Sequence, residues 1–181
     1  MRVLLLVLIV ATIVLGACDA GSPAGDVSPV DVAPSTYSDP FAYCAAVGTI
    51  DTPDARYEGE EMPDAIIEGM IDKGIVMADA PREFQEHAVW RCMDGEVWVC
   101  HWGANIPCLE QADLSQEPSA EMDEFCAANP EADTIPAAVT GRATVYAWHC
   151  VDGEAEAGEQ ILTPDPEGFL GEFWYELDGQ R

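Results

Sequence analysis

Positive charge is what this chain has least of. Against 34 Asp+Glu it carries 7 Lys+Arg, and only one of those, Lys73, is a lysine. Phosphate binding needs clustered Lys and Arg, so the composition argues against nucleic acid as a partner. Histidine is scarce as well: His87, His101 and His149 are the whole set. No GxSxG, HExxH, P-loop or SxxK motif occurs, so no signature of a known catalytic apparatus is present. The acidic runs do not follow the DxDxDG pattern of calcium loops. The stretch from Asp51 to Glu61 could hold calcium only loosely, and a solvated loop accounts for it better. CxxC pairs are missing too, which leaves a tetrahedral cysteine metal site without support. The expectation is a protein with no metal, no cofactor and no enzymatic activity.

Long apolar runs are also absent, with one exception at the N-terminus. Residues 3–17 are apolar or small apart from Thr12, and Arg2 precedes them. That run is short of the roughly 20 residues a membrane span needs. It fits the apolar region of a secretory signal. It ends in Leu15-Gly16-Ala17-Cys18, which resembles a bacterial lipobox. The resemblance implies cleavage before Cys18, diacylation of its sulfur and acylation of the new amine. Two or three acyl chains anchor stably, where one binds only marginally. An ordinary signal peptide cut after Ala17 is the alternative. Either way the chain is exported, and the lipobox places it in a bacterial cell envelope, facing the extracytoplasmic side. Removing residues 1–17 takes away Arg2 and leaves 6 basic against 34 acidic side chains, a net charge of −28. Such a surface favours a cationic partner, or simply stays soluble.

Residues 18–38 are rich in Pro, Ser, Ala, Gly and Asp and show no helical or strand period. They read as a lipid-anchored tether, reaching at most about 70 Å when fully extended. A single domain is expected over 39–181. Hydrophobic residues make up 49% of the chain, enough for a packed core.

Asp39 as N-cap and Pro40 at the first helical position open a helix through Val47. A second helix follows Pro63, with Ile66, Ile67, Met70 and Ile71 on one stripe and Gly74 past its end. A third is expected between Pro118 and Asn129. Asp94-Gly95 and Asp152-Gly153 each sit between apolar runs, the strongest local signal for a β-hairpin. Residues 168–177 read as a last strand. Helices and hairpins mix without βαβ alternation, so the class is α+β: an antiparallel sheet of about five strands with two or three helices on one face.

Two segments echo one another. Phe41, Cys44-Ala45-Ala46 and then Trp90-Arg91-Cys92-Met93-Asp94-Gly95-Glu96 match Phe125, Cys126-Ala127-Ala128 and then Trp148-His149-Cys150-Val151-Asp152-Gly153-Glu154. The chain thus reads as a degenerate internal repeat, with units at about 39–110 and 118–181. The seven cysteines leave six for the domain once Cys18 is set aside. Six allow 15 connectivities. The repeat selects Cys44–Cys92 and Cys126–Cys150, and elimination leaves Cys100–Cys108.

The segments DPFAYCAAVGTIDTPDARY, WRCMDG, GANIPC, FCAANPEADTIP and TVYAWHC resemble a group of uncharacterised, disulfide-containing bacterial lipoproteins. That resemblance implies anchoring and fold, and no activity. A fainter likeness is to membrane-bound lysozyme inhibitors, although their SGxxY loop does not occur here.

Strand alternation in the first hairpin puts Ala88, Trp90, Cys92, Val97 and Val99 on one face. His87, Val89, Arg91, Trp98, Cys100 and Trp102 fall on the other. The repeat makes His149 the counterpart of Arg91. Arg91, Trp98, Trp102 and His149 are therefore the candidate ligand face, suited to a small carbohydrate or peptide. The competing reading has the tryptophans covered by the Cys100–Cys108 loop and the C-terminal strand. Two functions fit best: a non-catalytic surface binding or structural module, or an inhibitor of a basic extracellular enzyme. An envelope-acting enzyme is a third reading.

Overall fold

Asp39 and Pro40 start the first helix as their chemistry dictates. The computed structural model describes residues 35–103 and 105–179. The expected signal sequence, the expected lipidation site Cys18 and the expected tether through residue 34 lie outside the described residues. Helix α1 spans Pro40–Val47, and the Asp39 carboxylate accepts from the Ala42 N–H at 2.8 Å. Helix α2 spans Asp64–Asp72 and buries Ile66, Ile67 and Met70. A single turn, α3 (Arg82–Gln85), leads into the hairpin of β1 (Ala88–Met93) and β2 (Glu96–His101). Helix α4 covers Ala120–Ala128, capped by the Ser119 hydroxyl. A second short turn, α5 (Ala137–Thr140), precedes the hairpin of β3 (Tyr146–Val151) and β4 (Glu154–Gln160). The chain closes with a 3₁₀ turn at Gly171–Phe173 and the three-residue strand β5, Tyr175–Leu177.

Both hairpins turn on Asp-Gly with positive φ at each residue: 55° and 88° at Asp94 and Gly95, 52° and 88° at Asp152 and Gly153. These left-handed pairs match the twist of the flanking strands, which is why Asp-Gly is favoured there. The register puts Cys92 opposite Val97, Trp90 opposite Val99 and Arg91 opposite Trp98.

The class is α+β, but the five strands do not form one sheet. They lie in a three-stranded antiparallel sheet, β1-β2-β5, and a separate pair, β3-β4. The outer edge of β3 is already occupied. Cys150 N–H donates to Ala132 O and Ile135 N–H to Trp148 O, both at 2.8 Å. A strand from the other sheet finds no free ladder there. Among the described residues five helices stand where two or three are expected. The two additional ones are single turns opened by Pro81 and Pro136.

The last expected strand, 168–177, is broken. Phe169, Leu170, Phe173 and Trp174 do not alternate, and a strand could bury only every second one. Instead Leu170 bridges to Pro164, the 3₁₀ turn follows, and only residues 175–177 pair with β2. The tether also ends earlier than expected. Tyr37 N–H donates to Arg56 O, and Tyr37 O accepts from Glu58 N–H, so residues 37 and 38 belong to the domain.

Three disulfides staple these elements: Cys44–Cys92, Cys100–Cys108 and Cys126–Cys150. They are the pairs expected from the repeat and from elimination. Three apolar clusters result. The first packs Tyr43, Ile66, Met70 and Trp90 between α1, α2 and the inner face of the first hairpin. The second packs Met122, Ile135 and Trp148 between α4 and the second hairpin. The third lies on the outer face of the first hairpin and joins Cys100 and Cys108 to Phe169 and Trp174.

Candidate functional site

Alternation along β1 turns Arg91 to the outer face of the first hairpin, and that face is covered. Arg91 is wholly enclosed, at 0% exposure. Its guanidinium lies between two rings, 4.5 Å from the Phe169 centroid and 4.2 Å from that of Trp174. Its Nη2 donates to Asp165, itself buried. Asp165 is oriented in turn by the Glu167 and Phe169 backbone N–H groups, which donate to its other oxygen at 2.9 and 3.1 Å. Asp51 stands 3.9 Å from Nη1 on the solvent side. Nε and Nη1 have no hydrogen-bond partner among the described residues. A desolvated cation survives there because it has both a paired carboxylate and two π-faces.

The four residues of the candidate ligand face do not come together as one site. Trp98 and Trp102 are half-buried, packed against the Cys100–Cys108 bridge and the C-terminal segment. Trp102 also stacks on His87 at 6.1 Å. His149 belongs to the other sheet, opposite Glu156 in β4 and next to Gly158. The repeat equates His149 with Arg91 in sequence, but no equivalent of Phe169 and Trp174 closes over it. Arg91 is enclosed by Asp165, Phe169 and Trp174, so no surface of it is open to a ligand.

An open concavity lies on the other side of Trp174. Asp51, Tyr57 and Glu61 of the loop after α1, Trp90 of β1, and Trp174 bound a cleft of about 240 Å³, with Leu109 at its mouth. Its walls are fixed. Tyr57 and Trp90 meet edge to face at 4.9 Å, and Trp90 Nε1 donates to Glu61 O at 2.9 Å. Gly59 lets the Tyr57 ring lie flat across the chain, since a Cβ there would overlap that ring and come 2.6 Å from Ser38 O. Burial, with Asp39 and Glu60 nearby, pushes the Tyr57 hydroxyl up to about 12. Beside it the Arg56 guanidinium, by hydrogen bonding, holds Asp54 down at about 2.

Sequence reasoning did not find this cleft. Its lining comes from four separate segments of the chain, and Trp174 reads in sequence as one more strand residue. Among the described residues, no group of three or more His, Cys, Asp or Glu side chains is arranged to hold a metal ion. No helix among them is long and apolar enough to cross a membrane. No known protein family matches the chain, and neither a curated protein nor a solved structure gives a significant match.

Proposed function

We propose that this is an exported lipoprotein of the bacterial envelope, held to a membrane through lipid on Cys18 and serving as a non-catalytic binding module. One observation carries the reading. Six of the seven cysteines close on one another in three buried or nearly buried bridges, which leaves Cys18 as the odd one. That residue ends the one long apolar run, in the sequence Leu-Gly-Ala-Cys. Disulfides persist in oxidising, extracytoplasmic compartments, in agreement with export. The partner favoured by a net charge of −28 after processing is cationic, which keeps inhibition of a basic extracellular enzyme as the second reading.

We also infer that the domain arose by internal duplication. Local geometry supports this. In both units a helix bearing Cys-Ala-Ala is bridged to the strand before an Asp-Gly turn, and the turn glycine donates back to the segment after that helix. Gly95 N–H reaches Gly48 O at 3.1 Å, and Gly153 N–H reaches Pro130 O at 3.2 Å.

Cys18→Ser tests the anchor. The variant is expected to leave the membrane fraction and to lose incorporation of labelled fatty acid. A variant that still pellets wholly with membranes after an alkaline wash would overturn the proposal.

A further inference from the structure

From the cleft between the 51–61 loop, β1 and Trp174, we infer a binding site for one organic cation of side-chain size, an alkylammonium or guanidinium group. Size comes first. At about 240 Å³ the cleft falls below the 300–1,000 Å³ typical of pockets for drug-sized ligands. It admits one side chain or a small amine and excludes a polymer.

Wall chemistry comes second. Half-buried Tyr57 and the small exposed parts of Trp90 and Trp174, each 5% exposed, present aromatic surface, which attracts a cation through the ring quadrupole. Asp51 and Glu61 stand at the rim, both exposed, and no residue lining the cleft is basic. Arg91 is the nearest positive charge, but it is enclosed and has Asp165 as its own counterion. It takes up one face of Trp174 and engages Asp51 weakly at 3.9 Å. Glu61 with Tyr57 and Trp90 therefore supplies most of the attraction. The surrounding field agrees, because a chain of net charge −27 repels anions and concentrates cations at its surface.

Preorganisation comes third. The rings are locked edge to face, and the hydrogen bond from Trp90 Nε1 to Glu61 O fixes the backbone that carries the Glu61 carboxylate. The site would order little when a ligand enters, so little of the attraction is lost to ordering. The inference does not depend on the lipid anchor and stands or falls separately from it.

The test titrates the full-length chain with N-acetyl-arginine amide, its neutral isostere N-acetyl-citrulline amide, and tetramethylammonium, following the Trp indole N–H signals by NMR. Arginine amide is expected to bind at least about fivefold more tightly than citrulline amide and to shift the Trp90 and Trp174 signals. Glu61→Gln should weaken it at least about threefold, and Asp51→Asn by less. The control Glu156→Gln/Glu159→Gln, on exposed positions of β4, should change nothing. All three variants alter exposed carboxylates, so folding is preserved. Tighter binding of the arginine amide than of tetramethylammonium assigns the site to a side chain of a basic polypeptide; the reverse order assigns it to a free amine, and both support the inference. Equal binding of arginine and citrulline amides, an unchanged affinity in Glu61→Gln, or an equal loss in the β4 control would overturn it. So would the absence of any binding up to about 50 mM.

Discussion

Asp165→Asn removes the one buried counterion of Arg91 while keeping nearly the same shape. Arg91 has no exposed surface and the Asp165 side chain has 7%, so water cannot replace the lost partner. Breaking a buried pair by removing one member costs about 3–5 kcal/mol. Asp51 at 3.9 Å is about half exposed and recovers a little of that, so the lower half of the range is expected. Arg91→Met keeps the packing between Phe169 and Trp174 but loses the pair and both cation–π contacts. It also removes two buried donors that have no acceptor, Nε and Nη1. Its cost should be about 2–4 kcal/mol, set chiefly by the isolated Asp165 carboxylate. The double variant removes both charges together and should be little worse than either single one. The coupling energy should therefore be about 1.5–3 kcal/mol, within the range for contacting residues. Urea denaturation of the oxidised protein is the right assay, because guanidinium chloride would screen the very charges being measured. Single costs that add to within about 0.5 kcal/mol would refute the reasoning, and so would an Asp165→Asn cost below about 1 kcal/mol.

Removing the disulfides pairwise by Cys→Ala should destabilise in the order of the loops they close. Separations of 48, 24 and 8 residues give about 4, 3.5 and 2.5 kcal/mol for Cys44–Cys92, Cys126–Cys150 and Cys100–Cys108 on chain entropy; denaturation midpoints in a different order contradict that account. Trp90→Ala and Trp148→Ala should each cost about 3–5 kcal/mol, since each residue is nearly buried in its own cluster. Under about 1 kcal/mol for either in the same assay denies that position a core role. Asp54 should titrate near 2, against its ordinary 3.8, because Arg56 hydrogen-bonds its charged form. Its contribution is present above pH 3.8 and is lost as pH falls toward 2, which carboxyl ¹³C NMR would follow. Tyr57, held neutral by burial to about 12, has the opposite pH dependence: stability falls between pH 10 and 12, where the unfolded phenol ionises first. Absorbance at 295 nm showing every tyrosine titrating near 10 would contradict this.

Local chemistry was legible in the sequence wherever it acts within a few residues. Asp39-Pro40 marks the start of α1, and each Asp-Gly marks its hairpin, because capping and left-handed turns depend on the residue itself. The cysteine pairing was legible because the two echoed Cys-Ala-Ala and Trp-x-Cys segments suggest which helix meets which strand. Long-range chemistry was not. Arg91 and Asp165 are 74 positions apart, and nothing local shows that a charge on a strand will be roofed by Phe169 and Trp174. Alternation put Arg91 on the right face of β1, yet alternation cannot say whether that face meets solvent or a third cluster. The division into two sheets was hidden for a related reason. Edge occupancy depends on where residues 132–135 run, and no periodicity encodes that.

Among the described residues the few cations are all spent internally, and that bears on what the domain can bind. Among the described residues the basic side chains are Arg56, Lys73, Arg82, Arg91 and Arg142, and each faces a carboxylate: Asp54, Asp178, Asp64 with Glu86, Asp165, and Glu110. All of these pairs except Arg91–Asp165 are solvent-exposed and add little to stability. Their consequence is electrostatic: they cancel every described site where an anionic group could find an unopposed positive charge. Apart from Asp51 beside Arg91, the remaining described carboxylates are in no ion pair, and their mutual repulsion is relieved most directly by a positively charged partner. The aromatic cleft beside Glu61 is where that general attraction meets a shape able to select a single group. A specific cationic contact is therefore expected there, and not on the broad acidic faces, which attract any cation alike.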